Sequence, residues 1–254
     1  MAQETLFLAD LHLREQAPEV TRRLLALEPR LRQAEAIYIL GDLVEAWIGD
    51  DAPIHPDLFP AFELLRRLAD AGIPLYFQHG NRDFLIGRRL ARRFGFDLLP
   101  EEEVLELHGK RIALVHGDQL CTDDLAYQRM RRRLRHPIVR FILRHLPLRT
   151  RRKLAAGLRD RSRQETERKT AVIMDVNPGA VTGLMQRLGV DILIHGHTHR
   201  PAIHHGGSGI RAVLGDWEDG AVLLSARPDG LRLERFEDGG ETAILAQTGW
   251  PSAA

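Results

Sequence analysis

Apolar runs of three or four residues recur through the first two hundred positions, at residues 6–9, 37–40, 75–78, 112–115 and 192–194, each bounded by turn residues. Runs of this length read as buried β-strands. Segments 19–33, 59–71 and 84–94 read as helices between them, so strand and helix alternate over the first 120 residues, the pattern of an α/β fold. Asp83 is placed to cap the third helix and Gly95 to end it. A helical insertion over 122–169 interrupts the alternation, and another helix is expected over 179–188. The tail turns to β: Asp219-Gly220, Asp229-Gly230 and Asp238-Gly239 separate runs 221–226, 231–236 and 242–246, the turn chemistry of consecutive hairpins.

The polar fragments at the ends of the early strands are more informative than the strands themselves. Asp10-Leu-His12, Gly41-Asp42, Gly80-Asn81-Arg82-Asp83, His116-Gly-Asp and His195-Gly-His197-Thr-His199 all follow closely on an apolar run. Side chains just beyond the carboxyl ends of neighbouring strands converge on one crevice, whatever their separation in sequence. Carboxylates, imidazoles and an amide oxygen without a thiolate suit hard or borderline divalent cations. Asp10 and His12 share a face of an extended segment and can reach one ion. Asp42 has two oxygens and can bridge two ions, while Asn81 offers an amide oxygen and His116 a ring nitrogen. Among His195, His197 and His199 the two-residue spacing does not choose, because all three would point the same way. Two carboxylates around two dications leave a net positive site that attracts phosphate and acidifies water. Any one fragment alone has a plain use as a cap or turn; five in order are hard to reach by accident.

The chain has 254 residues, 44% hydrophobic and 28% charged, enough for one large domain or a domain carrying an insertion. No signal-peptide pattern and no apolar run of membrane-spanning length is present, and the lone Cys121 fits a reducing compartment, so a cytoplasmic protein is expected. Cys121 has no evident paired base and reads as a buried structural thiol. The remaining histidines, His55, His79, His108, His136, His145, His204 and His205, have no metal-like context and read as surface or core residues.

The net charge of +1 conceals an asymmetry: residues 129–169 hold 16 Lys and Arg against 3 Asp and Glu. Such a block points to an anionic partner, whether a phosphate group, a nucleic acid or an acidic membrane. Ile138, Phe141, Ile142, Leu146 and Leu154 are interleaved with the basic residues, and Pro137 and Pro147 divide the stretch into short helices. Basic plus apolar favours lipid or a membrane interface. A strand-gripping surface would expose aromatics for base stacking, and Phe141 is the one Phe, Tyr or Trp between 129 and 169, so no nucleic-acid partner is expected.

The ordered set Asp10-x-His12, Gly41-Asp42, Gly80-Asn81-Arg82-Asp83, His116 and Gly196-His197-Thr-His199 resembles the calcineurin-like metallophosphoesterase superfamily. Ala9-Asp-Leu-His-Leu13, the stretch from Tyr38 to Asp51, His79-Gly-Asn-Arg-Asp-Phe-Leu85, His116 to Asp124 and Ile173-Met-Asp-Val-Asn177 are similar, more narrowly, to its bacterial branch of UDP-2,3-diacylglucosamine diphosphatases of lipid A synthesis. The similarity runs from the N-terminus to about Trp217.

The resemblance implies a four-layer α/β/β/α sandwich, with a core of residues 1–121 and 170–250 and a helical cap of residues 122–169. It implies two manganese ions, one held by Asp10, His12, Asp42 and His199, the other by Asp42, Asn81, His116 and His197, which settles the histidine choice. Arg82 and His197 are the expected catalytic residues, and Asn81, Arg82, Asp124, Ser162, Thr166, Lys169 and His197 the expected substrate contacts. Thr166 stands where the family pattern has Asn. The expected reaction is hydrolysis of a lipid-linked UDP-sugar to UMP and the diacylglucosamine 1-phosphate by water activated at the metal pair. The expected setting is peripheral, on the cytoplasmic side of the bacterial inner membrane, with no obligate protein partner. The rival readings are a metallonuclease on the same core and a scaffold that keeps the fold without the activity.

Overall fold

The computed structural model describes residues 4–168 and 175–251, with no side-chain description for 160–168. Two β-sheets lie at its centre. In the first, β1 (Thr5–Leu8), β2 (Ala36–Ile39), β3 (Leu75–Phe77) and β4 (Asp97–Leu98) are parallel neighbours. The tail adds β10 (Ala221–Arg227), β11 (Gly230–Phe236) and β12 (Thr242–Thr248) antiparallel, giving the order β12-β11-β10-β1-β2-β3-β4. The second sheet holds β5 (Glu103–Leu107), β6 (Lys110–Leu114), β7 (Ile192–His195), β8 (Ala202–Gly206) and β9 (Gly209–Val213) in the order β5-β6-β7-β9-β8, with β6, β7 and β9 parallel.

Strand periodicity sorts the side chains into three cores, one for each gap between layers. Phe7, Ile112, Leu114, Ile192, Ile194, Val222 and Leu224 fill the space between the sheets. Leu6, Leu8 and Leu223 point the other way, onto helices α1 (Pro18–Ala26), α3 (Phe59–Asp70) and α4 (Arg88–Phe94). Ala113, Val115 and Leu193 meet α8 (Pro178–Leu188). The architecture is thus the expected four-layer α/β/β/α sandwich. Burial on both faces explains why these strands read as unbroken apolar runs.

Two helices differ from their sequence reading. The segment 19–33 is broken into α1 and α2 (Glu28–Leu31), because Pro29 has no amide hydrogen to continue the ladder. The third helix begins at Arg88, not at residue 84, and Asp83 does not cap it. Gly87 is extended there, and the amides of Gly87 and Leu90 are taken by Asp50, from a distant loop, at 2.9 and 3.0 Å. Asp83 is buried instead, accepting from the amides of Leu43 and Gly80 at 2.8 Å each, so it joins two of the site loops.

Three helices, α5 (Leu125–Arg135), α6 (Pro137–His145) and α7 (Leu148–Arg168), occupy the connection between β6 and β7. Their arginines are not all turned to solvent. Asp118, fully buried, accepts from Arg131 Nε at 2.8 Å, Arg135 at 3.3 Å and the Tyr127 hydroxyl at 3.1 Å. Arg140 donates to the Phe84 carbonyl at 2.9 Å, and the buried Arg151 reaches the Ile48 carbonyl at 2.7 Å and pairs with Asp51. Part of the basic run therefore pins the three helices to the core. Replacing Asp118 with Ala would leave the two half-buried guanidinium groups only the half-exposed Glu101 as counter-charge, a loss of about 3 kcal/mol. We expect hydrogen–deuterium exchange of the α5 amides to rise by two orders of magnitude or more in that variant, with exchange in β1 and β2 unchanged.

Candidate functional site

The five sequence fragments meet at the carboxyl ends of their strands. Asp10 and His12 follow β1, Asp42 follows β2, Asn81 follows β3, His116 follows β6, and His197 and His199 follow β7. The chain beyond β1 continues pairing with the chain beyond β2: Asp10 and His12 donate their amides to the carbonyls of Gly41 and Asp42 at 3.1 and 2.9 Å. Five of these side chains sit on left-handed backbone, Asp10 at φ 55°, His12 at 48°, Asp42 at 53°, His197 at 70° and His199 at 54°. Each such residue costs about 1 kcal/mol or more, and strain of this kind collects where a chain must aim a side chain off its strand. Gly80 makes the approach possible, since a Cβ there would collide with the Asp42 carboxylate and its backbone amide.

Within the cluster, Asp10 Oδ1 lies 3.5 Å from His199 Nε2 and 3.9 Å from His12 Nε2, and the two imidazole nitrogens face each other at 3.2 Å. The same Asp42 oxygen, Oδ2, lies 3.9 Å from His12 Nε2 and 3.7 Å from His116 Nε2, so it faces both halves of the cluster. Its other oxygen accepts the Arg82 amide at 2.7 Å. Asn81 Oδ1 is 2.9 Å from His116 Nε2, and the His197 ring stands 5.1 Å from the His116 ring. The closest carboxylate–imidazole groups are Asp10 with His12 and His199, and Asp10 with Asp42 and His116, their ligand atoms within 4.8 Å of one another. Asp10 thus belongs to both groups.

These groups fit divalent cations. Asp10 Oδ1 is buried without a hydrogen-bond donor, the mark of a carboxylate built for a positive partner the protein does not itself supply. Burial pushes the Asp10 carboxyl up, but the His199 contact and the charges of His199, His116 and His12 outweigh it and hold it well below the usual carboxylate range. Burial, with the charge of His116, takes His197 down to about 3, so its imidazole is neutral, as a ligand must be. Burial and the charge of Asp42 push the Asp83 carboxyl up, against the two backbone amides it accepts.

The structure also separates the three histidines that spacing could not. His195 is inside β7 and fully buried, its Nδ1 against the Gly196 carbonyl at 2.8 Å and its Nε2 taken by Arg211 at 3.2 Å. It is turned away from the cluster that His197 and His199 enter. Asp124 caps α5, accepting from the Tyr127 amide at 3.0 Å. Ser162 and Thr166 have side chains outside the described residues, and Lys169 lies outside them altogether.

Three residues that sequence reasoning did not single out belong to the site. Glu45 lies 3.3 Å from His12 Nδ1 and 3.6 Å from the Arg82 guanidinium. Asp216 lies 3.1 Å from His199 Nδ1. Tyr127 stacks on the His197 ring at 5.9 Å. A signal for Asp216 was present: Gly215-Asp216 follows β9 as Gly41-Asp42 follows β2.

An open cleft of about 890 Å³ runs from this cluster between the core and helices α5–α7. Asn81, Arg82 and Tyr127 stand at its inner end, and Trp47, Leu85, Met130, Leu134, Leu143 and Leu158 line its length. A second, broader groove meets the cluster at the His12 and His199 side, with Arg14, Arg152 and Arg159 along it.

Comparison with known proteins agrees with this geometry. The calcineurin-like phosphoesterase family model matches residues 4–201. A protein of Pseudomonas syringae pv. tomato named UDP-2,3-diacylglucosamine hydrolase is 48% identical over 245 residues, 94% of this chain and 98% of its own. One of the same name from Serratia proteamaculans is 49% identical over 242 residues, 91% and 98% of the two chains. Among solved structures, Vacuolar Protein Sorting 29 from Cryptosporidium parvum shares the fold at a TM-score of 0.52 and 15% identity, covering 98% of this chain and 99% of that one. With every strand-end fragment inside the matched span, the chain belongs to the calcineurin-like phosphoesterase family, in the branch that holds these two hydrolases.

Proposed function

We propose that the protein hydrolyses the diphosphate of UDP-2,3-diacylglucosamine, giving UMP and 2,3-diacylglucosamine 1-phosphate, in lipid A synthesis. The observation that carries this reading is the junction of an apolar cleft with a cluster of cation ligands: acyl chains need the first, a diphosphate the second. The relatives' name supplies the substrate class.

Asp10, His12, Asp42 and His199 would hold one divalent cation, and Asp42, Asn81, His116 and His197 a second, with Mn2+ the ion we favour. A cation pair there acidifies water and neutralises phosphoryl charge. Water adds to the phosphorus nearer uridine, the bridging P–O bond breaks, and the bridging oxygen stays on the sugar phosphate. Arg82, whose Nε is buried without an internal partner, lines both clefts and would hydrogen-bond the phosphoryl oxygens there. The neutral His197 ring adds a second polar contact there. Helices α5–α7 exclude water from the acyl chains, and the broader groove takes the uridine half. Asp124, Ser162, Thr166 and Lys169 would complete the grip on the sugar and its chains.

The outer face of the same helices supports a peripheral membrane setting. Ile138, Phe141 and Ile142, one turn apart on α6, are 63%, 64% and 51% exposed, and Arg132, Arg133, Arg149 and Lys153 on the same three helices are exposed too. No helix among the described residues is long and apolar enough to cross a membrane. We read the face as one that rests on the cytoplasmic leaflet of the inner membrane, through shallow apolar insertion and attraction to anionic lipid.

Mass analysis of products from the diacylated UDP-sugar should show UMP and the diacyl sugar 1-phosphate with Mn2+ present, neither after chelation, and neither from Asp42→Asn at any Mn2+ concentration; intact substrate throughout would refute the reaction. Arg82→Ala should bind the same amount of metal and lose turnover by something on the order of a hundredfold or more; unchanged kcat/KM would remove Arg82 from its role. In flotation assays the protein should bind vesicles containing anionic lipid and be released as salt rises, and Phe141→Ser should weaken that binding without altering cleavage of detergent-solubilised substrate. Equal binding by the variant would place the contact elsewhere.

A further inference from the structure

The imidazoles of the cluster are not held alike. His12 and His199 turn Nε2 inward and carry a carboxylate behind Nδ1, Glu45 at 3.3 Å and Asp216 at 3.1 Å. His116 has the Leu40 carbonyl behind its Nδ1, at 2.8 Å. Both carboxylates are fixed by their own surroundings. The Glu45 amide bonds the Leu13 carbonyl at 2.9 Å, in the extension of the first sheet, and Asp216 accepts from the Glu218 amide at 3.2 Å. A carboxylate within ion-pair distance of Nδ1 favours the proton there by its charge, leaves the Nε2 lone pair free and makes it a better donor to a cation. The charge around the two halves is unequal as well. Glu45, met by Arg82, and Asp216 add negative charge beside Asp10, His12 and His199, whereas on the His116 side Asp118 is met by both Arg131 and Arg135 and Asp83 accepts two backbone amides.

We infer that the two cation positions differ in affinity: the one at Asp10, His12 and His199 fills first, with Glu45 and Asp216 as positioning residues that make it the tighter. This rests on the two-cation reading above. Glu45, through its contact with Arg82, also ties the guanidinium that meets the diphosphate to an imidazole of the tighter position. The substrate-facing charge and the first cation are therefore held by one side chain.

Titration of metal-free protein with Mn2+ alone, followed by calorimetry and by the electron-paramagnetic-resonance signal of free Mn2+, tests this without any turnover. Two steps are expected. Glu45→Gln and Asp216→Asn should each weaken the tighter step by about 10- to 100-fold and leave the weaker one in place, with Glu45→Asp recovering part of the loss and circular dichroism unchanged. His12→Ala should abolish the tighter step. One class of equal sites, or a tighter step that neither carboxamide variant moves, overturns the inference while leaving the two-cation reading intact. Failure of the unaltered protein to take up two Mn2+ ions overturns that reading and the inference with it.

Discussion

Asp10 joins the two halves of this molecule. It leaves the end of β1 in the first sheet, and its Oδ2 accepts the amide of His197 from the second sheet at 2.7 Å, while its Oδ1 faces His12 and His199. The position is completely buried, where a carboxylate is costly unless positive charge and hydrogen bonds surround it. The fold supplies part of that compensation through imidazoles and one amide, and a divalent cation supplies the rest. This one requirement sets the arrangement of everything nearby. The loops after β1 and β2 pair with each other beyond the strand ends, Asp83 ties the Asp42 loop to Gly80, and five side chains accept left-handed backbone to aim at one point. Several kcal/mol of local strain persists only because three interlayer cores overdetermine where the strand ends lie.

Much of this was legible in the sequence, for a chemical reason. A ligand set tolerates few residue types, and strands buried on both faces announce themselves as short apolar runs, so a polar fragment directly after such a run carries position and chemistry together. The tail hairpins and the convergence of Asp10, His12, Asp42, Asn81 and His116 with the histidine triplet after β7 could be read in this way, whereas the four layers and the choice of His197 and His199 over His195 came from the family resemblance. Strands β4, β5, β8 and β9 could not. Most of their residues are only partly buried or exposed, so no continuous apolar run marks them. The start of α4 was misread because Asp83 looks like a local cap, whereas the residue that satisfies those amides, Asp50, comes from a loop more than thirty positions earlier. Glu45 and Asp216 share that difficulty: a partner for Nδ1 is defined by the fold, and no local spacing encodes it.

The basic block shows how one composition can serve two ends. Read as sequence, its excess of Lys and Arg suggested a surface for an anionic partner. In three dimensions Arg131, Arg135, Arg140 and Arg151 point inward, to Asp118, Glu101, Asp51 and loop carbonyls, and they replace the apolar contacts that short amphipathic helices would otherwise need in order to dock. That choice has a physical logic. A cleft for acyl chains must be lined with Leu, Met and Trp on the inner face, so those side chains are not available to hold the helices down. Charged hydrogen bonds to carbonyls and buried acids hold them at the edges and leave the middle open.

The same division of labour bears on how the site works. Asp118 anchors α5 through two guanidinium groups and also accepts the hydroxyl of Tyr127, whose ring stacks on His197. The lid over the apolar cleft and one imidazole of the donor cluster are therefore positioned by a single buried acid. Tyr127 links the packing around His197 to α5, whereas His12 and His199 have Glu45 and Asp216 beside them, residues that lie outside those helices. The cluster thus has one half rigidly backed by the sheets and one half coupled to the helices that cover the substrate. The surroundings of His197 and the placement of the covering helices thus share one anchor, Asp118, whereas the carboxylates beside His12 and His199 make no contact with it.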